Sequence, residues 1–505
     1  MSTTRLPAAA AALAAGALLL TACTSSSGTT SPVFDQSDDV PFTGCDQVAC
    51  SGTLEGANYE ILLPEKWNGT LLIYSHGYRP AQPFPPDFNP VATTAEPAPG
   101  WGGGNKEVGE ALLAQGYALT GSAYASNGWA VEDGVAAAEQ LYTFFSDNVA
   151  KPNRVYVWGD SLGGLITETV AQTHPEWVDG VAPFCGAIAG VVPNFDMALD
   201  AEYSIQQFFA PEMDIVDFGS YEAAVAAWNA GFKPMYDGAV AQDTDAIAKI
   251  LTIAAIVDAP SKTATYDGST IASQVSGYIE SLATALGFGT VARYDVEQRF
   301  GGNISSNVET DYAERVDDEE RALIDTVGGE GAADALIAQL QAGTRVTADQ
   351  AALEKALSVG GNPQGNVQDP TITIHTSDDP LVIVQNQSFF RDRYQEQLDA
   401  GNVKYGLVQL FTVPPATYPE STGAPYGAGH CNFTPESRLA VIGLLDQWVR
   451  DGVYPATAAV AAAMGDDSGF NPLFVPSPWP NPLALEIGAD QPTESGGSAS
   501  PEASS

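Results

Sequence analysis

A serine flanked by glycines follows a short apolar stretch, and this arrangement favours nucleophilic chemistry. The segment Gly159-Asp160-Ser161-Leu162-Gly163 comes directly after the apolar residues 154–158, and the residues that follow it read as the start of a helix. A turn of this kind between a strand and a helix is typical of a nucleophile elbow, in which the glycines permit a tight turn and the serine hydroxyl is exposed. The sequence therefore predicts a serine hydrolase with Ser161 as the nucleophile.

A serine nucleophile needs a general base, and the chain has only four histidines to choose from. His174 lies 174−161 = 13 residues beyond the serine and just before a proline, which is typical of a residue at the C-terminal end of a helix. His76 precedes the serine, whereas the base should follow it in this arrangement. His375 lies within a predicted strand, as a core or strand-end histidine would. The remaining residue, His430, is therefore predicted to be the general base.

Two adjacent aspartates follow the predicted strand that begins after Pro370, and either could hold the histidine in the correct tautomer. Here the sequence resembles the α/β-hydrolase superfamily, whose acid loop commonly has a strand, a few small residues and an aspartate followed closely by an apolar residue. Residues 371–382 match this pattern with Asp379 in the acid position. The resemblance implies that Asp379 is the acid. Asp378 is the alternative. Whichever of the two aspartates is not the acid would be an ordinary loop residue.

The same resemblance implies an oxyanion hole made of two backbone N–H groups. In this fold the residue after the nucleophile, Leu162, supplies one donor. The loop Ser75-His76-Gly77-Tyr78-Arg79-Pro80 resembles the His-Gly-x loop of the superfamily. This implies that the N–H of Tyr78 is the second donor and that Gly77 allows the close backbone approach. A plain turn at His76-Gly77 is the alternative interpretation.

The N-terminus contains an apolar stretch, residues 6–20, preceded by Arg5 and followed by Leu20-Thr21-Ala22-Cys23. This stretch indicates a signal peptide, since it is too short and wrongly flanked to be a spanning helix. Leu-Thr-Ala-Cys resembles the bacterial lipobox, in which Cys23 would be lipidated and become the mature N-terminus. We therefore expect a protein anchored by lipid to the extracytoplasmic face of the cell membrane. An ordinary secreted protein is the alternative.

Four further cysteines, Cys45, Cys50, Cys185 and Cys431, permit three pairings in an oxidising compartment. Cys45 and Cys50 are close enough in sequence to close a small loop. In the implied hydrolase fold, the loops of Cys185 and Cys431 both belong to the carboxyl edge of the sheet, which implies a disulfide between them; a free thiol at Cys185 is the alternative. Tannase-like and feruloyl-esterase-like enzymes also resemble this chain in having a cysteine beside the histidine. Their partner cysteine precedes the serine, where this chain has Asp160.

The chain is strongly acidic, with 62 Asp and Glu residues against 20 Lys and Arg residues and a formal net charge of −42. There is no basic patch to replace the counterions of a phosphate backbone, which excludes nucleic acid as a partner. The acidity also disfavours anionic substrates through long-range repulsion. The sequence has no metal-ligand cluster and no glycine-rich phosphate loop with a lysine. We therefore expect neither a metal nor a cofactor.

Strands alternate with helices along the chain, which is typical of an α/β fold. The resemblance covers residues 54–191 and 370–452, and it implies an α/β-hydrolase core, in which helices flank a mostly parallel sheet. Ser161 and Asp379 are separated by 379−161 = 218 residues, and an insertion at this point implies a large helical cap over the active site. The helices predicted in this insertion cover residues 221–230, 245–257, 271–285, 311–327, 332–341 and 348–359.

These features predict six segments along the chain. They are a lipoprotein signal peptide (1–22), a flexible tether (23–44), the first part of the core (45–191), the cap (192–368), the second part of the core (369–452) and a Pro- and Ala-rich extension with a disordered tail (453–505).

The predicted activity is that of an extracytoplasmic serine hydrolase that cleaves carboxylic esters. Ser161, His430 and Asp379 would act through an acyl-enzyme intermediate. A peptidase or aminopeptidase of the same fold is the enzymatic alternative, because the same residues can hydrolyse amides. A catalytically inactive hydrolase scaffold that acts as a surface interaction protein is an alternative of another class. The expected partner is a small-molecule ester or peptide substrate, and no oligomeric state is predicted.

Overall fold

The central sheet is built from short strands whose apolar residues face both sides. The computed structural model describes residues 34–35, 49–86, 88–418 and 425–480 of the chain. In the strand Thr70–Ser75, Leu71 and Ile73 pack into one hydrophobic cluster, while Leu72 and Tyr74 pack into another on the opposite face. Successive side chains of a strand point to opposite faces, so an uninterrupted apolar run requires cover on both sides.

Eight strands form this sheet in the order β1-β2-β4-β3-β5-β6-β7-β8. The first two pairings, β1 with β2 and β2 with β4, are antiparallel, and all the others are parallel. The strands are β1 (Ala49–Leu54), β2 (Ala57–Leu62), β3 (Thr70–Ser75), β4 (Ala118–Ser122), β5 (Arg154–Asp160), β6 (Gly180–Phe184), β7 (Ile372–Thr376) and β8 (Val408–Thr412).

Helices cover both faces of the sheet. One face packs against three helices, α2 (Val131–Asn148), α3 (Leu162–Thr173) and α12 (Asn386–Asp399). The other packs against α1 (Glu107–Ala114), α13 (Pro435–Asp451) and α14 (Thr457–Met464). The core therefore has three layers, helices, sheet and helices, with the elbow serine at the carboxyl end of a central strand.

The chain between β6 and β7 forms a second, mostly helical body with its own hydrophobic cluster. A π-helical turn, Phe288–Ala292, joins the helix that ends at Gly287 directly to the helix that begins at Arg293. Its helices are α4 (Val191–Phe209), α5 (Tyr221–Val240), α6 (Thr244–Ile256), α7 (Ile271–Gly287), α8 (Arg293–Phe300), α9 (Asp318–Gly328), α10 (Ala332–Ala342) and α11 (Gln350–Val359).

The segment after α14 returns to the edge of the sheet. Phe470 forms an antiparallel bridge with Thr412 of β8, and Asn471 N–H donates to the carbonyl of Phe411. Farther along, Trp479 packs against Phe389 of α12, and both side chains are buried in the hydrophobic cluster to which the cap helices contribute. The C-terminal segment thus contacts both the core and the cap.

The predicted fold class, an α/β-hydrolase core with a mostly parallel sheet flanked by helices and a helical insertion, is confirmed by this topology. The helix predicted at 311–327 begins later, at Asp318, because Asp317 caps it together with Glu320. Two helices of the insertion, α4 and α8, were not predicted, and neither were α12 and α14 outside it. None of the helices in the described part of the chain is both long and apolar enough to cross a membrane.

Several sequence-based predictions fall on residues outside those that the structure describes. They are the signal peptide, Cys23, most of the tether, Cys45 and the tail at 491–505.

Candidate functional site

Ser161 occupies a strained turn between β5 and α3. Its φ and ψ angles are 60° and −122°, a conformation that residues other than glycine rarely adopt. Glycines surround it because the backbone of β3 lies very close: a methyl group on Gly159 would lie 2.5 Å from the carbonyl oxygen of Ser75, and one on Gly163 would overlap that oxygen. The turn therefore has the geometry of the predicted elbow.

His430 lies in the loop after β8 and is held by the carboxylate of Asp379. The Nδ1 atom of His430 lies 2.8 Å from Oδ2 and 3.0 Å from Oδ1 of this aspartate. Burial by itself would raise the pKa of Asp379, but its contacts with His430 and His375 outweigh burial and hold its pKa well below the usual range. The structure thus brings together the predicted acid and the predicted base, with the acid in its charged form.

The acid loop is supported by groups that the sequence did not reveal as functional. Asp379 Oδ1 accepts the backbone N–H groups of Leu381 and Val382, each at 2.9 Å. The buried His375 donates from Nε2 to the carbonyl of Val382 at 2.8 Å, and its Nδ1 accepts the amide of Gln387 at 3.1 Å. These two hydrogen bonds fix the tautomer of His375. His375 therefore has a structural role in its strand, which is to support the acid loop.

The carboxylate of Asp378, the alternative acid, makes no hydrogen bond to His430 in the described structure. Its carboxylate accepts the hydroxyl of Ser377 at 2.6 Å, while its backbone pairs with the histidine loop through Gly427 and Gly429. Asp378 therefore contributes to the site through its main chain, which holds the histidine loop beside the acid loop.

A disulfide and an ion pair tie the histidine loop to the rest of the sheet edge. Cys431 is bonded to Cys185, which follows β6, so the implied pairing is present. Arg438 of α13 donates to the Asp160 carboxylate at 2.7 Å and to the carbonyl of Cys431 at 3.2 Å. Asp160 precedes Ser161 and Cys431 follows His430. One guanidinium therefore links the neighbours of the candidate nucleophile and the candidate base.

Ser161 and His430 line the same cavity, and no hydrogen bond joins their side chains in the described structure. Among the described residues, the side-chain partners of His430 are Asp379 and Cys431, whose Sγ lies 3.4 Å from Nε2. Ser161 and His430 both line an open cleft between the core and the cap. Because sulfur is a weak acceptor, it offers little resistance to a movement of Nε2 towards the serine.

The groups predicted to form the oxyanion hole lie around Ser161. Leu162 is the first residue of α3, and the N–H of such a residue has no partner within its helix. A methyl group on Gly77 would lie 3.2 Å from Cβ of Ser161, so the loop carrying Tyr78 runs directly beside the serine. His76 donates from Nδ1 to the carbonyl of Gly77 at 2.7 Å, and burial lowers its pKa to about 3. It is therefore a neutral residue that shapes this loop.

Two cavities meet at Ser161. The first, of 80 Å³, is a narrow pocket between the elbow and the cap, with mainly apolar walls that include Trp129, Leu162 and Phe195. The second, of 590 Å³, is an open cleft lined by His430 and by side chains of the cap. Phe195 lies in α4, and the sequence alone does not mark it as a pocket residue, because an aromatic residue at helical spacing is more often part of a core.

One cluster in the described part of the chain has metal-ligating side chains close together, Cys185, His430 and Cys431. Its two sulfur atoms form the disulfide. A sulfur in a disulfide is not the thiolate that binds metals, so this cluster does not fit a metal ion while the bond is intact.

Comparison with known proteins found no family model that matches the chain. The chain is 24% identical to o-phthalyl amidase from Xanthobacter agilis over 443 residues, which cover 80% of this chain and 87% of that protein. Among solved structures it is similar to feruloyl esterase B from Aspergillus oryzae, at 14% identity and a TM-score of 0.35, covering 81% of this chain and 80% of that one. It is also similar to a proline iminopeptidase from Mycobacterium smegmatis, at 12% identity and a TM-score of 0.34, covering 80% of this chain and 100% of that one. None of these likenesses assigns a substrate to this chain.

Proposed function

We propose that this protein is a serine hydrolase that cleaves carboxylic esters, with Ser161 as nucleophile, His430 as general base and Asp379 as the acid that orients it. The observation that carries the proposal is the buried, charged Asp379 holding Nδ1 of His430 beside the cavity that Ser161 faces. A base oriented in this way presents Nε2 as its acceptor, the atom that must take the serine proton.

The reaction would proceed in two balanced steps. Oγ of Ser161 attacks the ester carbonyl while its proton passes to Nε2 of His430, and the N–H groups of Leu162 and Tyr78 stabilise the oxygen that becomes negative. The bond to the alcohol then breaks, and the alcohol leaves with the proton from His430. Water next attacks the acyl-enzyme, gives a proton to His430 and releases the acid, and the proton returns to Ser161.

The walls of the narrow pocket favour an esterase over an aminopeptidase. An aminopeptidase must hold a free ammonium group on the acyl side of the scissile bond, which calls for a carboxylate there. The side chains lining the pocket include neither an aspartate nor a glutamate, and its polar groups come from Tyr78, Ser161, Asn194 and Ser281. A buried ammonium group would therefore lack a charged partner, which is costly.

Labelling with a fluorophosphonate probe, combined with a panel of nitrophenyl esters and aminoacyl-nitroanilides, tests this proposal. Wild type should be labelled and should hydrolyse esters, and Ser161→Ala should abolish labelling and lower turnover by several orders of magnitude. Ser51→Ala, on the exposed edge strand β1, is the matched control and should behave as wild type. An unlabelled, well-folded wild type would instead favour an inactive scaffold that acts as a surface interaction protein.

We further propose that the protein is carried to the extracytoplasmic face of the membrane and anchored there through lipidated Cys23, with the residues that follow as a tether. The support is the apolar N-terminal stretch that ends in Leu-Thr-Ala-Cys. In a bacterial host with lipoprotein processing, wild type should partition into detergent and Cys23→Ser should not. Wild type in the aqueous phase with an unmodified N-terminus would rule out the anchor.

A further inference from the structure

The position of His430 decides which part of a substrate occupies which cavity. The base must give its proton to the leaving group, so the leaving group has to lie within hydrogen-bond reach of His430. His430 lines the open cleft and does not line the narrow pocket, whereas Ser161 lines both. The acyl group therefore belongs in the narrow pocket, and the leaving group belongs in the cleft.

The cleft combines an aromatic wall with negative charge. Tyr78, Phe84 and Phe288 contact one another, with ring centroids 5.0 to 6.3 Å apart. All three line the cleft, together with the carboxylates of Glu96, Asp160 and Glu280, and its lining contains neither lysine nor arginine. Aromatic faces attract organic cations through their ring quadrupole, and carboxylates attract them through their negative charge.

Among these carboxylates, Glu280 is the one free to meet a cationic ligand. Glu96 is paired with Arg79 at 2.7 Å, and Asp160 is paired with Arg438. Glu280, from α7 of the cap, accepts the hydroxyl of Thr263 at 2.8 Å, and no arginine or lysine of the described residues lies within 4.0 Å of it. Its charge is therefore available to the cleft.

We propose that the cleft binds a cationic leaving group, such as a quaternary ammonium alcohol, against Glu280 and the faces of Phe84 and Phe288, while the narrow pocket binds an uncharged apolar acyl group. This inference rests on the proposed function and names its substrate class. The net charge of −42 acts in the same direction, because it raises the local concentration of cations.

A pair of isosteric esters tests the inference. Butyrylcholine and 3,3-dimethylbutyl butyrate share the acyl group and the shape of the alcohol, and they differ in the positive charge. At low ionic strength wild type should have a higher kcat/KM for the choline ester. Glu280→Gln should lower kcat/KM for that ester about fivefold, in line with the weak coupling of solvated charges, and should change the neutral ester less than twofold.

Two further variants separate the local effect from the overall charge. Glu222→Gln removes the same charge from an exposed position on α5 that does not line the cleft, and it should leave the ratio of the two kcat/KM values unchanged. Phe84→Leu removes an aromatic face from the cleft. It should lower the ratio of kcat/KM for the choline ester to kcat/KM for the neutral ester.

Three results would overturn the inference. The first is an equal kcat/KM for the two esters in wild type. The second is a fall of the ratio of kcat/KM for the choline ester to kcat/KM for the neutral ester that is the same in Glu222→Gln as in Glu280→Gln. Either result would leave the proposed ester hydrolysis intact. A protein that the fluorophosphonate labels but that hydrolyses neither ester would overturn the assignment of the acyl group. Absence of both labelling and turnover would instead overturn the proposed function.

Discussion

At the scale of single residues, the two neighbouring aspartates have different tasks. Asp379 binds His430 through its carboxylate, and Asp378 binds the histidine loop through its backbone. Asp379→Asn should therefore lower kcat by about 10⁴, since an amide no longer fixes the tautomer of the base. Asp378→Asn keeps the backbone pairing and should retain most of the activity. Steady-state kinetics with a nitrophenyl ester measures both, and similar losses in the two variants would contradict the assignment.

Arg438 should position the site without touching the substrate. Arg438→Gln leaves the partly buried Asp160, whose side chain is 14% exposed, without its partner, so we expect a loss of about 2 kcal/mol in the free energy of unfolding, together with a lower kcat. The double variant Asp160→Asn/Arg438→Gln should be more stable than Arg438→Gln alone, because no unpaired charge remains. Urea denaturation and kcat measured on all three variants check this, and a double variant less stable than the single one would contradict it.

Motif and chain order were enough to predict Ser161 and His430, because the elbow and its glycines form a local pattern. Asp379 depended on a resemblance, since the sequence alone offered two adjacent candidates. Arg438 could not have been found in this way. It lies 278 residues from its partner Asp160, and nothing in the sequence around either residue marks the contact.

At the scale of elements, the disulfide between Cys185 and Cys431 should hold the histidine loop in place. Cys185 follows strand β6, and Cys431 precedes helix α13. The histidine loop itself contains Gly427 and Gly429. Reduction should therefore lower kcat, since small displacements of a catalytic group cost orders of magnitude in rate. The double variant Cys185→Ala/Cys431→Ala is the control: it should start from the lower kcat and should not respond to reductant. Reduced wild type with full activity would contradict this role.

The predicted elements show where periodicity is informative. Helices with one solvated face, such as α6 and α10, were predicted within a few residues of their bounds. Helix α4 was not predicted: 15 of its 19 residues are buried, so it lacks the alternation between apolar and polar faces on which such a prediction depends. Helix α8 continues from α7 through a π-helical turn, and no capping residue marks its start.

At the scale of the whole molecule, a buried carboxyl group should link stability to pH. Glu168 of α3 is fully buried, neither of its oxygens has a hydrogen-bond partner in the described structure, and burial raises its pKa from 4.5 to about 8. Between these two values the folded protein keeps a proton that the unfolded chain has released. The free energy of unfolding should therefore fall as the pH rises from 4.5 to 8, by up to about 1.4 kcal/mol per pH unit from this group.

Glu168→Gln tests this linkage because it removes the ionisable proton and keeps the shape of the side chain. Relative to wild type, the variant should gain stability between pH 5 and pH 8 in urea denaturation. Glu222→Gln, at an exposed position, should follow wild type at every pH. A constant difference between Glu168→Gln and wild type across this range would mean that Glu168 titrates in the same way in both states.

The C-terminal segment has a consequence for the behaviour of the protein in concentrated solution. Strand β8 is the last strand of the sheet, and an unpaired edge strand is a template for another chain. The bridge from Phe470 to Thr412 and the hydrogen bond from Asn471 to Phe411 occupy the carboxyl end of that edge, and the packing of the buried Trp479 against Phe389 keeps the segment in place. A chain that ended before Phe470 would keep every residue of the proposed active site and would expose this edge. Self-association should then rise with protein concentration while activity per folded molecule stays the same, so the segment protects solubility rather than chemistry.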